Sequence, residues 1–371
     1  MNTQIIEILN KAKAGQRLNT TDAKKLLQAK GAAIYPILKT AHEKKLELKG
    51  QEVSYINNYN LNLTNVCTNN CLFCGFNTNL TAKDAYLSSK EELKKEIEYA
   101  KKKKVSEICF VSGLHPDFEL KDYQEIIKII KEIYPKVHLH GITPEELNHA
   151  LRNQDLDFKA GYQILKEVGL DSIPGTAAEI LVPNIRKKIC PEKISTAKWI
   201  KAIKAAHQVG LKSTATIMYG HLEGVKERVK HLKLIREIQD ETSGFSEFIP
   251  LSFIHQNTKL ARKSLVKGGA SGREDILMIA VSRLFLDNLA NIQASWVKYG
   301  PKLAQLMLTA GANDLGGTLF NENISRKAGK DTAQYLSPAK IEAMIKDIGA
   351  KPKQRTTLYK TFPSKVKKAE D

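Results

Sequence analysis

Two patterns of hydrophobic residues, one typical of strands and one typical of helices, alternate along most of this chain. Short runs rich in β-branched and aromatic residues are separated by longer segments in which apolar residues recur every three or four positions, as on one face of a helix. This alternation favours a parallel sheet that is covered by helices. The predicted strands are 59–64, 105–111, 136–140, 170–173, 212–219, 246–253, 291–297 and 313–319.

The helices between these strands carry recognisable start signals. In segments 88–92, 143–146 and 271–274 a serine or threonine precedes a glutamate by three residues, which is the pattern of an N-terminal capping box. Pro144 stands at the first helical position, where a backbone N–H has no partner within the helix. The first 50 residues read as short amphipathic helices, and we expect Thr20 or Thr21 to be an N-cap there.

The number of predicted strands favours an α/β fold of the (β/α)8 TIM-type barrel over a doubly wound sheet. We predict an N-terminal helical segment at 1–52, a barrel at 53–330, and a C-terminal helix and basic tail at 331–371. In such a barrel the active groups lie where strands end and βα loops begin. Candidate chemistry is therefore expected at the carboxyl ends of the predicted strands.

Three cysteines follow the first predicted strand in one short loop. Cys67, Cys71 and Cys74 are separated by three and then two residues, with an aromatic residue directly before the last. Thiolates suit both zinc and iron–sulfur clusters. A structural zinc site needs four ligands, and neither His115 nor Cys109 is close in sequence. We therefore predict a 4Fe–4S cluster with one iron left for another ligand; a zinc site completed from afar is the alternative.

Charge and composition indicate which classes of partner and which cellular compartment to expect. The 371 residues include 58 Lys and Arg against 40 Asp and Glu, a formal charge of +18, but the excess is mainly lysine spread along helices such as 90–104 and 198–212. This distribution indicates a solvated surface, and we expect no nucleic-acid partner. No apolar run is long enough to cross a bilayer and the start lacks a secretory pattern, so we expect no membrane partner. Five cysteines without a disulfide pattern indicate the reducing cytoplasm.

With the cysteine loop and several later segments, the chain resembles the radical S-adenosylmethionine (SAM) superfamily. Within it, the chain is most similar to the branch of the tyrosine-using subunit of FO synthase, from about residue 50 to 360. The segments that carry this closer resemblance are 172–179, 218–223, 248–256, 291–298, 311–317 and 354–359.

The resemblance implies a specific transfer reaction with a 4Fe–4S cluster and SAM as cofactors. Cleavage of SAM would give methionine and a 5′-deoxyadenosyl radical, which takes hydrogen from L-tyrosine. The 4-hydroxybenzyl group would then move onto 5-amino-6-(D-ribitylamino)uracil, with release of 2-iminoacetate, in the synthesis of the deazaflavin of coenzyme F-420. A second radical SAM subunit would close the ring, and a reducing electron donor is required. We expect the N-terminal helices or the C-terminal tail to cover the barrel mouth against water and oxygen.

Four residues are candidates for binding SAM. Ser112 and Gly113 follow the second predicted strand, where the superfamily usually has a Gly-Gly-Glu-like turn; the acidic residue is absent here, so backbone carbonyls are expected to replace it. Glu179 follows a glycine turn after the fourth strand and is suited to the ribose hydroxyls or the amine of SAM, or else to a helix N-cap. Glu223, after the fifth strand, is expected to contact SAM or substrate.

Other polar residues at the predicted strand ends are candidates for binding substrate. Imidazole, amide and carboxylate groups match the donors and acceptors of a uracil edge, a ribityl chain or tyrosine. These candidates are His115, His140, His221, His255, Gln256, Asn313 and Asp314.

Two other functions fit parts of the sequence. An aminofutalosine-type radical SAM enzyme of menaquinone biosynthesis would share the cysteine loop and similar segments at 172–179 and 218–221. An RNA-binding or RNA-modifying iron–sulfur protein would use the positive charge. The second is disfavoured because no RNA-binding module with aromatics among basic residues is seen, and aromatic residues make up only 7% of the chain.

Overall fold

The computed structural model describes residues 3–266, 268–321, 323–329 and 335–360. Within these ranges every pair of neighbouring strands runs parallel, as the alternating pattern predicts. In chain order the strands are β1 (Glu52–Ile56), β2 (Asn58–Leu61), β3 (Glu107–Phe110), β4 (His138–Gly141), β5 (Ser172–Ile173), β6 (Lys212–Tyr219), β7 (Phe245–Ser252), β8 (Asp314–Gly317) and β9 (Lys351–Gln354).

Helices precede, connect and follow these strands. In chain order they are α1 (Thr3–Lys13), α2 (Thr20–Leu27), α3 (Ile34–Lys49), α4 (Lys90–Lys102), α5 (Leu120–Ile133), α6 (Pro144–Ala150), α7 (Phe158–Glu167), α8 (Pro183–Ile189), α9 (Thr196–Gln208), α10 (Val225–Thr242), α11 (Lys259–Arg262), α12 (Gly272–Phe285), α13 (Trp296–Tyr299), α14 (Pro301–Met307), α15 (Ile324–Lys327) and α16 (Pro338–Asp347). A 3-10 turn spans Gly31–Ala33.

The strands form two sheets that isolated bridges connect. One sheet has the order β2-β3-β4-β5-β6-β7 and the other the order β8-β1-β9. Single parallel bridges join Phe248 to Ile292, Gln293 to Asp314, and Tyr59 to Phe320. The result is a curled parallel sheet with helices outside, an α/β arrangement of the TIM type. The seventh predicted strand, 291–297, is not formed: only two bridging residues remain there, and α13 begins at Trp296.

The capping predictions are confirmed except at the first site. Ser89, Thr143 and Ser271 each accept a hydrogen bond from the backbone N–H three residues later, with the reciprocal glutamate bond present. The prediction of Thr20 or Thr21 as N-cap is wrong. Asn19 is the N-cap of α2 and forms a capping box with Asp22. The side-chain oxygen of Asn19 accepts the backbone N–H of Asp22, three residues later.

The N-terminal helices lie against the outer helices and do not cover the mouth as expected. Helix α2 packs on α10 and α12, and α3 packs on α12. Arg17 joins this layer by ion pairs to Asp240 (2.7 Å) and Asp287 (2.8 Å). None of the helices in the described ranges combines the length and apolar character needed to cross a bilayer.

The described part of the C-terminal region pairs with the sheet, which its basic composition did not predict. Strand β9 pairs with β1, and the chain then crosses the amino-terminal end of the sheet. There the Arg355 guanidinium donates to Asp314 (2.5 Å) and Glu247 (3.3 Å), and the Thr357 hydroxyl donates to Glu107 (2.6 Å). The segment therefore closes the end of the sheet opposite the cysteine loop; residues 361–371 of the predicted basic tail lie outside the described residues.

Replacing Arg355 with alanine is expected to destabilise the fold strongly. The change leaves the buried carboxylates of Asp314 and Glu247 without their shared cation, at a cost of about 3–5 kcal/mol in the free energy of unfolding. The measurement is denaturant unfolding. Lys353→Ala is the control, because the Lys353–Glu52 pair (2.7 Å) is exposed, and its loss should cost about 0.2–1 kcal/mol. Equal effects of the two changes would contradict this account.

Candidate active site

Two adjacent cavities occupy the interior of the curled sheet. The upper cavity, about 270 Å³, lies at the carboxyl ends of the strands and is lined by the cysteine loop. The lower cavity, about 260 Å³, lies between the strands and extends to Arg355 at their amino-terminal end. The two cavities share lining residues, so they are adjacent. The shared residues are Val111, Thr176, Leu251, Lys298 and Ile324.

Backbone hydrogen bonds from several elements hold the cysteine loop in position. Leu72 donates its N–H to the carbonyl of Ile189 at the end of α8 (2.8 Å) and accepts from the N–H of Leu260 in α11 (2.9 Å). Cys67 donates to the carbonyl of Thr78 (3.0 Å). These bonds fix the loop without using its side chains, so the thiols are left for another role.

All three thiols line the upper cavity, as the sequence predicts for a shared ligand. Cys71 is buried, while Cys67 and Cys74 are partly exposed. Burial raises the pKa of the Cys67 and Cys71 thiols, and the Lys193 ammonium acts against that rise. Within the described ranges no three Cys, His, Asp or Glu side chains converge on a single metal ion.

A buried ion pair lies beside the cysteine loop. The Lys193 ammonium and the Glu179 carboxylate are 2.6 Å apart, with side chains only 14% and 13% exposed. Burial by itself would raise the pKa of Glu179, but the Lys193 charge outweighs it and lowers that pKa. The Lys193 ammonium also lies over the Phe73 ring, 5.5 Å from its centre. The site therefore holds an ionised carboxylate at its wall.

The backbone of Glu179 has an uncommon conformation. Its φ is +46°, in the left-handed region that residues other than glycine seldom adopt. Its carbonyl accepts the N–H of Met218 in β6 (2.7 Å), which holds the turn in place. Strained backbone that surrounding contacts enforce is concentrated at functional sites, so this conformation supports the predicted role of Glu179.

Ser112 and Gly113 line the upper cavity together with Glu179, and their contact with SAM stays a prediction. The Ser112 hydroxyl accepts from the N–H of Leu63 (2.7 Å), and Gly113 donates its N–H to the carbonyl of Thr64 (2.9 Å). A Cβ at Gly113 would lie 2.2 Å from the carbonyl oxygen of Val66. Only glycine permits this approach of the turn to the start of the cysteine loop.

Two further carboxylates in the upper cavity were seen in the sequence only as helix-capping residues. Glu146 accepts the backbone N–H of Ser112 (3.0 Å), and burial raises its pKa to about 7. Glu145 accepts from the Asn69 amide (2.9 Å) and the N–H of Ile194 (2.9 Å). The sequence signal that could have identified them as site residues is that the two carboxylates are consecutive and follow closely after a predicted strand. Lys193 had no comparable signal, because it lies far from any predicted strand end.

Glu223 and His221 line neither cavity but build the turn after β6. Glu223 accepts the N–H groups of Gly220 (2.6 Å) and His221 (2.9 Å) and pairs with Arg228 (2.8 Å). The His221 ring contacts the carbonyl of Met218 (3.1 Å), and burial lowers its pKa. Contact of these two residues with SAM or substrate stays a prediction.

The remaining predicted substrate residues are divided between the lower cavity and other locations. His140 lines the lower cavity. His115 is buried outside both cavities, where its carbonyl accepts from His149 (2.8 Å), and His255 and Gln256 follow β7 without lining either cavity. Asn313 and Asp314 lie at the amino-terminal start of β8 and not at its carboxyl end as predicted. Their roles in substrate binding stay predictions.

Asn313 and Asp314 have structural partners at that position. The Asn313 amide oxygen accepts from Arg283 (2.6 Å) and from the N–H of Ile292 (2.9 Å). Asp314 is fully buried and also accepts from the Ser54 hydroxyl (2.5 Å). These contacts join β8 to its neighbours at the closed end of the sheet.

Comparison with protein families gives two matches along the chain. Residues 61–235 match the radical SAM superfamily, and residues 242–368 match the CofH/MqnC C-terminal region. The boundary between them falls near the end of α10. The matches together span the cavities and the C-terminal segment that closes the sheet.

Several curated relatives match nearly the whole chain. Proteins described as 5-amino-6-(D-ribitylamino)uracil–L-tyrosine 4-hydroxyphenyl transferase are 46% identical in Methanoculleus marisnigri (96% of this chain, 97% of the relative) and 47% identical in Methanosphaerula palustris (97% and 98%). The protein of that description from Methanocaldococcus jannaschii is 46% identical over 88% of this chain and 92% of its own.

Solved structures at lower identity share the fold. Methylornithine synthase superimposes with a TM-score of 0.74 at 18% identity, covering 93% of this chain and 97% of that one. The FeFe-hydrogenase maturase HydG from Carboxydothermus hydrogenoformans gives a TM-score of 0.73 at 18% identity, covering 96% and 81%. The curled parallel sheet with outer helices is therefore an established architecture.

Replacing Gly113 with alanine is expected to disturb the cysteine loop. The added Cβ meets backbone atoms that cannot move aside, so we expect a loss of at least about 2 kcal/mol in the free energy of unfolding. Thermal unfolding of the purified variant provides the measurement. Gly272→Ala is the matched control, because nothing lies within 4 Å of the Cβ that alanine would add there, and it should be neutral or slightly stabilising. If the Gly113→Ala variant were as stable as wild type, the close contact between this turn and the start of the cysteine loop would not be needed for stability.

Proposed function

This chain belongs to the family of 5-amino-6-(D-ribitylamino)uracil–L-tyrosine 4-hydroxyphenyl transferases, and on that premise we propose that it transfers the 4-hydroxybenzyl group of L-tyrosine onto 5-amino-6-(D-ribitylamino)uracil. The cofactors are a 4Fe–4S cluster and SAM. One observation carries the proposal: three thiols, the Ser112–Gly113 turn and the Glu179–Lys193 pair line a single cavity.

Cys67, Cys71 and Cys74 are the proposed ligands of the cluster. When bound, the cluster supplies the electron for reductive cleavage of SAM. The Lys193 ammonium, which interacts electrostatically with Cys71, offsets negative charge that thiolates bring into a buried wall. Without a nearby cation, ionised thiols there would be strongly disfavoured.

Glu179 and the Ser112–Gly113 turn are the proposed contacts for SAM. The Glu179 carboxylate is held ionised by Lys193, so it is suited to accept hydrogen bonds from ribose hydroxyls or from an ammonium group. The turn at Ser112 offers backbone carbonyls in place of the acidic residue that is missing. We assign Glu223 a positioning role, because its carboxylate orders the turn that follows β6.

A complete (β/α)8 barrel and the predicted domain division are part of the proposal. Bridges at Ile292, Gln293 and Phe320 support closure of the ring between β7, β8 and β2. A barrel at 53–330 would then carry the site, with helical segment 1–52 outside it. The C-terminal segment 331–371 would contribute a floor through Arg355 in addition to its helix.

The proposed partners are a second radical SAM subunit that completes the deazaflavin and a reducing electron donor. Exposed cations flank the cysteine loop at the end of α8 and after α11, including Lys187, Lys188 and Lys263. Both elements contact the loop directly through Leu72. A small acidic electron carrier would be attracted to this surface. The five free cysteines support a reducing, cytoplasmic location.

The function is tested by following the adenosyl group. Reconstituted protein is incubated without oxygen with adenosyl-labelled SAM, tyrosine and 5-amino-6-(D-ribitylamino)uracil, and the products are analysed by mass. We expect the label to leave as 5′-deoxyadenosine in step with an adduct that contains the tyrosine ring. Label retained in a larger product would instead indicate aminofutalosine-type chemistry. Single Cys→Ala changes at 67, 71 or 74 should abolish SAM cleavage, and Cys109→Ala should keep the iron content.

Glu179→Gln is expected to weaken SAM binding while leaving the cluster in place. Loss of a charged hydrogen bond costs about 1.5–3 kcal/mol, which is roughly a tenfold to hundredfold loss of affinity. Equilibrium binding of SAM and the iron content per chain are measured together. Exposed Glu98→Gln serves as the control. If iron is lost and SAM affinity per cluster is kept, Glu179 positions the cysteine loop and does not bind SAM.

A further inference from the structure

We propose that the lower cavity binds 5-amino-6-(D-ribitylamino)uracil. In this position the substrate lies deep between the strands, and the upper cavity lies between it and the protein surface at the cysteine loop. This inference rests on the proposed function and adds the location of one substrate. It is carried by the side chains that the strands direct inward, by their charge balance, and by the polar groups that have no partner.

The inward positions of the strands are unusually polar for a barrel. Interiors of (β/α)8 barrels are normally filled by bulky branched residues. Here β2, β3, β4 and β6 direct polar or small side chains inward, and two consecutive glycines in β8 leave additional space. These inward residues are Asn58, Asn60, Glu107, Cys109, His140, Thr214, Thr216, Gly316 and Gly317. Apolar side chains such as Ile249, Leu251 and Val297 complete the wall, so a limited number of polar groups is available to orient a ligand.

Arg355 and its two carboxylate partners neutralise one another at the floor of the lower cavity. Arg355 pairs with Asp314 and Glu247, and burial raises the pKa of Glu247 to about 7 despite the nearby guanidinium. Glu107 accepts from the Asn58 amide (3.1 Å) and from the Thr357 hydroxyl (2.6 Å). At this floor the Arg355 guanidinium is already paired with carboxylates, so it is not free to bind the carboxylate of a ligand.

The polar groups that remain without a partner are neutral. Across the described residues, the amides of Asn60 and Gln293 and the Nε2 atom of His140 form no hydrogen bond, although all three side chains line the cavity. The other ring nitrogen of His140 contacts the Ser172 hydroxyl (2.7 Å). Burial, with Arg355 adding to it, lowers the pKa of His140 to about 3, so the ring is uncharged at neutral pH.

This chemistry matches the diaminouracil better than tyrosine. The ribityl chain offers neutral hydroxyls, and the uracil edge offers carbonyls and N–H groups, all of which pair with amides and a neutral imidazole. Tyrosine is a zwitterion, and burying its ammonium and carboxylate requires charged partners. Lys298 lines both cavities, so the cation that suits the tyrosine carboxylate lies at their junction.

The same assignment gives the order of molecules that the transfer requires. Tyrosine must lie between SAM and the ring that accepts its 4-hydroxybenzyl group. With SAM against Glu179 in the upper cavity and the diaminouracil against Gln293 in the lower one, tyrosine occupies the junction at Thr176, Leu251 and Lys298. The reverse order would put the acceptor ring between the radical source and its target.

The test measures binding of the two substrates separately to the reconstituted protein. Equilibrium dialysis gives the affinity for the diaminouracil and for tyrosine in wild type, Gln293→Leu, Asn60→Leu and the exposed control Gln163→Leu. We expect each cavity variant to lose about tenfold or more in affinity for the diaminouracil, because a ligand group is left unpaired, and to keep tyrosine affinity within about twofold. The control should match wild type.

Tryptophan fluorescence provides a second measurement that does not alter the cavity. Trp296 lines the lower cavity, and the only other tryptophan, Trp199, is buried in α9. In a Trp199→Phe protein, the diaminouracil should change Trp296 emission with the affinity found by dialysis. Loss of tyrosine affinity in both cavity variants, or unchanged diaminouracil affinity with a silent Trp296, would overturn the location. Failure of wild type to bind the diaminouracil at all would instead count against the proposed function.

Discussion

The buried guanidinium of Arg355 is the interaction on which the interior of this protein depends. A curled parallel sheet is normally closed from within by apolar side chains, but here the strands direct carboxylates and amides inward. Those carboxylates are tolerable only because one cation, delivered by a segment that follows β9, contacts Asp314 and Glu247 together. The C-terminal segment therefore lets the interior stay polar and open. Its position on β1 couples the last described part of the chain to the first strand of the sheet.

The upper cavity solves the same electrostatic problem with a different cation. Lys193 lies next to Glu179 and interacts with Cys71, so one ammonium balances both a carboxylate and the thiol wall. Burial alone would lower the pKa of Lys193, yet the surrounding negative groups raise it and keep the ammonium charged. Each cavity thus has its own buried positive charge, and each charge is fixed by contacts within the protein. Both cations are side chains of the protein, so no ligand has to supply positive charge for the buried carboxylates.

The sequence predicted the chemistry of the upper cavity better than its electrostatics. Spacing identified the loop of Cys67, Cys71 and Cys74, because ligand spacing is a local property, and a turn after a strand identified Glu179. The segment 291–297 was mistaken for a strand, since apolar composition cannot distinguish two bridging residues followed by a helix from a full strand. Lys193 was not identified, and Arg355 was singled out only as part of segment 354–359, without a role. Their roles come from partners far away in the sequence, and an isolated lysine or arginine in a basic chain gives no local signal.

Two cavities in series constrain how three molecules occupy the protein. The lower cavity is closed at its far end by the hydrogen bonds of Arg355, Thr357 and Tyr359 to carboxylates of the sheet. Its boundary with the upper cavity is formed by a few shared residues, among them Val111 and Leu251. A molecule that enters the lower cavity through the upper one passes the positions assigned to tyrosine and SAM. Filling the deepest position first is the order that avoids displacement of the other two.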